Sequence, residues 1–141
     1  MDLIKLSANE ALKMMEEGSL SSEEYVKAFL KQIELREDDV GAWIFLDPKL
    51  ALEQAREADK RRKDKSAGKL NGLPIGIKDI IDTKDMPTEN GSHLCKNRKP
   101  SKDAHLVRLL RDEGAVIMGK CVTTEFALSG PGKTKNPKDL E

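Results

Sequence analysis

Two short apolar runs with one amphipathic helix between them constrain this chain more than any other feature. LPIGIKDII (residues 73–81) and AVIMG (residues 115–119) have the length and β-branched content of strands. AHLVRLLRDE between them has helical spacing, and Gly114 follows as a stop. Strand, helix and strand over residues 74–119 form a βαβ unit, which predicts parallel pairing with a right-handed crossover. The chain is therefore expected to be α/β.

Helices should come first. Ser7-Ala8-Asn9-Glu10 is a capping box, in which a hydroxyl and a carboxylate each satisfy an orphan backbone N–H, and Gly18 should end the helix it opens. Ser21-Ser22-Glu23-Glu24 opens a second helix with Tyr25, Val26, Phe29, Leu30 and Ile33 as its apolar stripe. Asp47-Pro48 starts a third, with Leu52, Ala55 and Ala58 on one side. Between the last two, AWIFL (residues 42–46) predicts a strand or extended segment. Residues 83–100, punctuated by Pro87, Gly91 and Pro100, read as a long loop with room for a helical turn. Asp103 is placed to cap the helix of the βαβ unit, and TTEFAL is a further short helical candidate. SGPGKTKNPKDLE is loop chemistry.

With 25 basic and 25 acidic side chains among 141 residues, the chain has no net charge, which gives no reason to expect nucleic acid or an anionic membrane as a partner. The basic run at residues 60–65 reads as the solvated end of a helix, since acids flank or interrupt it and no aromatic residue is interleaved. Cys95 and Cys121 lie far apart without a CxxC spacing, so neither a disulfide framework nor a zinc site is expected, and a reducing cytoplasm is the expected location. No signal core and no 18-residue apolar run is visible.

Several motifs fail on inspection. Gly114–Cys121 matches GxxxxGK but has Cys where a magnesium-binding hydroxyl is needed, and its apolar interior will extend as a strand. Gly130-Pro131-Gly132-Lys133-Thr134 lacks the first glycine, where Ala127 stands, and Pro131 removes an N–H donor. His93, Cys95 and His105 do not make a metal set at compatible spacing. Cys121 is a nucleophile only if a histidine comes close to it in space, and as a lone strand-end cysteine it reads as packing. GxSxG is absent.

Lys78 and Asp79 remain, two charges inside an apolar run. Lys78 is either a strand-edge lysine whose stem lies on apolar surface, or half of a structural Lys–Asp pair, or a base whose burial favours the neutral amine. Periodicity does not decide among these.

In order along the chain, LNGLPIGIKDIIDTKDMPT, DAHLVRLLRDEGAVIMGKCVTTEFAL and GPGKTKNPKD resemble the N-terminal part of an amidase signature enzyme, a family that includes bacterial amidases and the A subunit of the aminoacyl-tRNA amidotransferase. The likeness runs over essentially the whole chain and is tightest across residues 70–139. It implies N-terminal helices followed by part of a mixed, largely parallel β-sheet flanked by helices. The chain would be the N-terminal portion of a single amidase domain, with residues 1–66 mainly helical and residues 67–141 starting the α/β core. It also implies a Ser–cis-Ser–Lys triad that hydrolyses a linear carboxamide. Lys78, in GLPIGIKD, matches the lysine of that triad, buried so that it can act as a neutral base. No cofactor or metal is implied.

The family pattern places both serines and the oxyanion hole beyond Asn136-Pro137-Lys138-Asp139, and neither Ser92 nor Ser129 matches them. The 141 residues alone are therefore expected to be inactive. The partner expected is a small-molecule amide, with a second copy of the chain as a further candidate. Two alternatives stay open: the A subunit of a glutamine-dependent tRNA amidotransferase, working with partner subunits, and a truncated, non-catalytic interaction module.

Overall fold

The computed structural model describes residues 2–128 and 130–140; Ser129 therefore lies outside the described residues. After a 3-10 turn at Leu3–Lys5, helix α1 spans Ala8–Glu16 and α2 spans Ser22–Val40. Both begin with the capping boxes expected, Ser7 with Glu10 and Ser21 with Glu24. Gly18, just past α1, takes a φ of +75°, a conformation that costs a residue with a Cβ. Strand β1 is Trp43–Leu46, and α3 is Pro48–Lys63 with Asp47 as its N-cap and proline in its first turn. Strand β2 is Pro74–Lys78, α4 is His105–Asp112, and β3 is Val116–Cys121.

The three strands form one sheet in the order β1-β3-β2. β2 pairs parallel with β3, as the βαβ pattern predicts, and β1 pairs antiparallel with β3 on the other side, so the sheet is mixed. β3 is central and buried from Val116 through Lys120. Alternate β3 residues face opposite layers. Val116 and Met118 pack with Val26 of α2 and Ala51 and Ala55 of α3, while Ile117 packs with Ile77, Met86 and Val107 of α4. A third cluster, Ala11, Met15, Leu20 and Tyr25, seats α1 on the start of α2. Tyr25 also meets Phe29 edge to face at 4.9 Å between ring centroids.

Polar side chains join layers that the apolar pattern alone would leave loosely oriented. The Asp59 carboxylate of α3 accepts the N–H groups of Ser22 (2.7 Å) and Glu23 (3.1 Å) at the start of α2. The Gln54 amide takes both the N–H (3.1 Å) and the C=O (3.0 Å) of Ile117, beyond the reach of the β1 ladder. Arg62, in the basic run, turns its guanidinium inward to the Asn71 carbonyl at 2.6 Å, while Lys60, Lys63 and Lys65 stay exposed.

Two local expectations differ. Asp103 does not cap α4: the N-cap is Ala104, with no side-chain cap. Its carboxylate instead accepts the Lys84 N–H at 2.9 Å and pairs with Arg111 at 3.3 Å, a charge-assisted contact that outcompetes a cap. TTEFAL forms only a 3-10 turn, Glu125–Ala127, in which Phe126 and Ala127 have φ of 48° and 56°.

Ile75 pairs with Ile117 but Gly76 pairs with Gly119, so Met118 is the extra residue of a β-bulge. A Cβ on Gly119 would run into the Phe45 carbonyl oxygen and lie 3.2 Å from both Leu46 Cα and Trp43 Cε3. Gly119→Ala should therefore lower stability by about 1–3 kcal/mol, read as a lower urea midpoint with an unchanged m-value.

Candidate active site

The bulge decides which way two lysines point. Ile75 and Ile77 share a face of β2, and their partners are Ile117 and Lys120. Ile117 and Lys120 therefore share a face as well, although three residues separate them. One register step on, Lys78 is opposite Cys121, and Cys121 is opposite Trp43, so these three project from the other face. Gly76 adds no side chain there: a Cβ would lie 2.6 Å from Cys121 Sγ and 3.0 Å from the Trp43 ring.

Lys78 is exposed and Lys120 is buried. The burial anticipated for Lys78 is found at the lysine one strand over. Lys120 Nζ donates to the carbonyls of Ile81 (2.9 Å) and Pro87 (3.2 Å) and to Thr88 Oγ1 (2.5 Å), and it lies 3.5 Å from Asp79 Oδ1. Asp79 is itself 2% exposed. Its carboxylate accepts the Glu89 N–H, its backbone N–H donates to the Cys121 carbonyl (2.9 Å), and its carbonyl accepts the Asn90 N–H (2.9 Å). The structural Lys–Asp pair is thus real, but it joins Lys120 to Asp79.

Burial holds the Lys120 ammonium below its usual lysine range, and the Asp79 charge opposes that shift without cancelling it. Burial also raises the Cys121 thiol, with the Glu37 carboxylate adding to the effect, so the thiolate needed for nucleophilic attack is disfavoured. Asp82 is lowered by its bidentate pair with Arg98, at 2.7 and 2.9 Å. That pair ties the 79–98 loop at a second point.

Ser92 is buried; its hydroxyl donates to Glu125 Oε1 at 2.6 Å and accepts the Leu94 N–H at the His93–Cys95 turn. Asp79, Ser92, His93, Thr123 and Lys133 line a cleft of about 380 Å³ at this end of the sheet. His105 sits at the start of α4, with Nδ1 3.0 Å from the Arg108 guanidinium. Among the described residues, no three His, Cys, Asp or Glu side chains gather as a metal site, and no helix is long and apolar enough to cross a membrane.

The sheet is mixed, and Lys78 stands at the C-terminal end of its parallel strand β2, inside GLPIGIKD. The Amidase family model matches residues 24–141, and the chain belongs to that amidase signature family. It is 35% identical over its whole length to the A subunit of the glutamyl-tRNA(Gln) amidotransferase of Clostridium botulinum and spans 30% of that relative. A Dehalococcoides mccartyi relative of the same name is 39% identical over 90% of the chain, which spans 26% of it. The chain thus spans about three tenths of the curated relatives it matches. Among solved structures, a fatty acid amide hydrolase superposes with a TM-score of 0.86 at 29% identity, over 98% of this chain and 26% of that one. The peptide amidase of Stenotrophomonas maltophilia gives 0.81 at 35% identity, over 86% of this chain and 26% of that one.

Removing the Lys120 ammonium strands the buried Asp79 carboxylate. Lys120→Met should cost about 3–5 kcal/mol at pH 7, and Asp79→Asn/Lys120→Met clearly less, as read by urea denaturation. Because folding lowers the Lys120 pKa, the unfolded chain binds the proton more tightly between that lowered value and the ordinary lysine value of 10.5. The wild type should therefore gain stability relative to Lys120→Met as pH rises through that window. A wild-type advantage that falls as pH rises toward 10.5 would contradict the direction of the shift.

Proposed function

We propose that this chain supplies the base-bearing strand of an amidase that converts a linear carboxamide to a carboxylate and ammonia, with Lys78 as the lysine of a Ser–cis-Ser–Lys triad. The observation that carries the proposal is the position of Lys78. It ends a strand in the sheet, within the GLPIGIKD segment, with its side chain exposed at the edge of the folded core and its backbone held on both sides.

The chemistry divides into two parts. A serine hydroxyl is a weak nucleophile until a neighbouring group takes its proton. In the proposed triad, the Lys78 amine draws the proton of an intermediate serine. That serine takes the proton of the nucleophilic serine as it attacks the amide carbonyl. The proton returns to the leaving nitrogen, ammonia departs, and water hydrolyses the acyl-enzyme by the same relay in reverse. Lys78 is the one triad member assigned within this sequence; Ser92 is committed to Glu125 and to a turn cap, and Cys121 has a raised thiol pKa. A base must be neutral when it accepts the proton. The proposal therefore requires other groups to close over the exposed Lys78 when the site is assembled.

A second reading is favoured by a specific observation: curated relatives at 34–39% identity are A subunits of a glutamyl-tRNA amidotransferase. There the same triad would release ammonia from glutamine and pass it to an acceptor. Copurification with partner subunits and glutamine as preferred substrate would distinguish it from a free-standing amidase.

The test uses the product of the complete reading frame on a panel of linear carboxamides. It should release ammonia, and Lys78→Ala should lower kcat by roughly 10²–10⁴-fold, the range a positioned general base contributes. The 141-residue chain alone should show no turnover. Full activity in Lys78→Ala, or in the short chain, overturns the assignment.

A further inference from the structure

We propose that Lys120 is a positioning residue for this reaction, holding the Lys78 amine in place through the turn that follows it. The proposal rests on the amidase reading above. Lys120 is fully buried and faces away from the side on which Lys78 projects, so it does not touch a substrate.

Its influence reaches Lys78 through one intervening residue. The Ile81 N–H donates to the Lys78 carbonyl at 3.0 Å, and the Ile81 carbonyl accepts from Lys120 Nζ at 2.9 Å. The same ammonium grips Pro87 and Thr88 on the returning loop, and Asp79, the next residue along from Lys78, completes the cage.

On its N-terminal side Lys78 is fixed by the sheet, where it pairs with Cys121. On its C-terminal side β2 has ended; the Asp79 backbone is still tied to Cys121 and Asn90, and the Lys120 contacts fix the turn beyond it at the Ile81 carbonyl. An ammonium is suited to the task because it offers three donors to acceptors arranged around it and carries the charge that balances buried Asp79. An apolar side chain could fill the space but could not fix the carbonyls.

Positioning matters for a proton relay because its donors and acceptors must meet at hydrogen-bond distance, and a misplacement of about 1 Å can cost on the order of 10²-fold in rate. A merely structural Lys120 would change how much protein folds, without changing turnover by the folded protein.

The experiment measures kcat and KM of the complete protein on its best carboxamide, well below the melting temperature, for Lys120→Met, Asp79→Asn/Lys120→Met, Thr88→Val and Lys78→Ala. The expected result is a fall in kcat of about 10- to 100-fold in Lys120→Met, with KM within about threefold. The double variant, with no buried charge left unbalanced, should regain melting temperature but not kcat. Thr88→Val, which removes one acceptor without changing shape, should lose several-fold in kcat, and it carries the test if both lysine variants fail to fold.

If Lys120→Met or Thr88→Val keeps wild-type kcat, or if the double variant recovers kcat together with melting temperature, the positioning role is overturned. Those outcomes leave a dead Lys78→Ala intact, and so are distinct from failure of the amidase reading itself. That reading fails if Lys78→Ala is fully active or the wild type cleaves no carboxamide.

Discussion

The buried pair of Lys120 and Asp79 is the interaction on which this end of the molecule depends. Taking an ammonium and a carboxylate out of water costs several kcal/mol each, and their mutual attraction repays that only when the remaining donors and acceptors are satisfied. Here Lys120 has Ile81, Pro87 and Thr88 as acceptors besides Asp79, while Asp79 has the Glu89 N–H besides Lys120. The long connection after β2 is thereby drawn over one face of the sheet. Besides the pair, that connection is held by Met86, buried among Ile77, Val107 and Ile117, and by Asp85, which takes the Arg111 guanidinium at 2.7 Å. The Asp82–Arg98 pair is roughly 40% exposed on each side and, screened by water, is the weaker tie.

Features set by neighbours in sequence were legible. Both capping boxes, the Asp47-Pro48 helix start and the glycine stops depend on residues three or four positions apart, and each is where the pattern places it. Parallel pairing of β2 and β3 was also legible, because strand–helix–strand leaves few ways to close a sheet. Contacts between distant segments were not. Asp103 has the right type and place to cap α4, yet a carboxylate near Arg111 and Lys84 is drawn to the charges. The capping work of Asp59 and the Gln54 contact with Ile117 span dozens of residues and leave no local signature.

The candidate site divides along the same line. The segment around Lys78 could be recognised from its residues, and so could the presence of a charge where apolar residues dominate. Which lysine lies inside could not. A bulge at Met118 shifts Lys120 onto the face shared by Ile77 and Ile117, and a bulge has no dependable sequence mark beyond the glycine beside it. Strict alternation along AVIMGK would have put Lys120 on the face of Val116 and Met118, against α2 and α3. Gly119 does give a hint in hindsight, since the close approach of the Phe45 carbonyl leaves no room for a Cβ. The GxxxxGK match in the same stretch is a coincidence of spelling, its interior being a buried strand.

A single extra residue thus gives two lysines on adjacent strands opposite circumstances. Lys120 has its environment completed within this chain: its acceptors, its counter-ion and its lack of water are all in place. Lys78 has a fixed backbone and an open side chain, bordered by Cys121, Trp43 and the bare Gly76. If Lys78 is the base proposed above, its conditions depend on the groups that cover it in the assembled site. A catalytic amine benefits from that order of assembly. If its backbone is made rigid first, by a neighbour that keeps its own charge satisfied, the covering groups need only to exclude water and present the hydroxyl. The opposite arrangement, with the catalytic lysine sealed inside the sheet, would leave the amine well shielded but beyond the reach of a substrate.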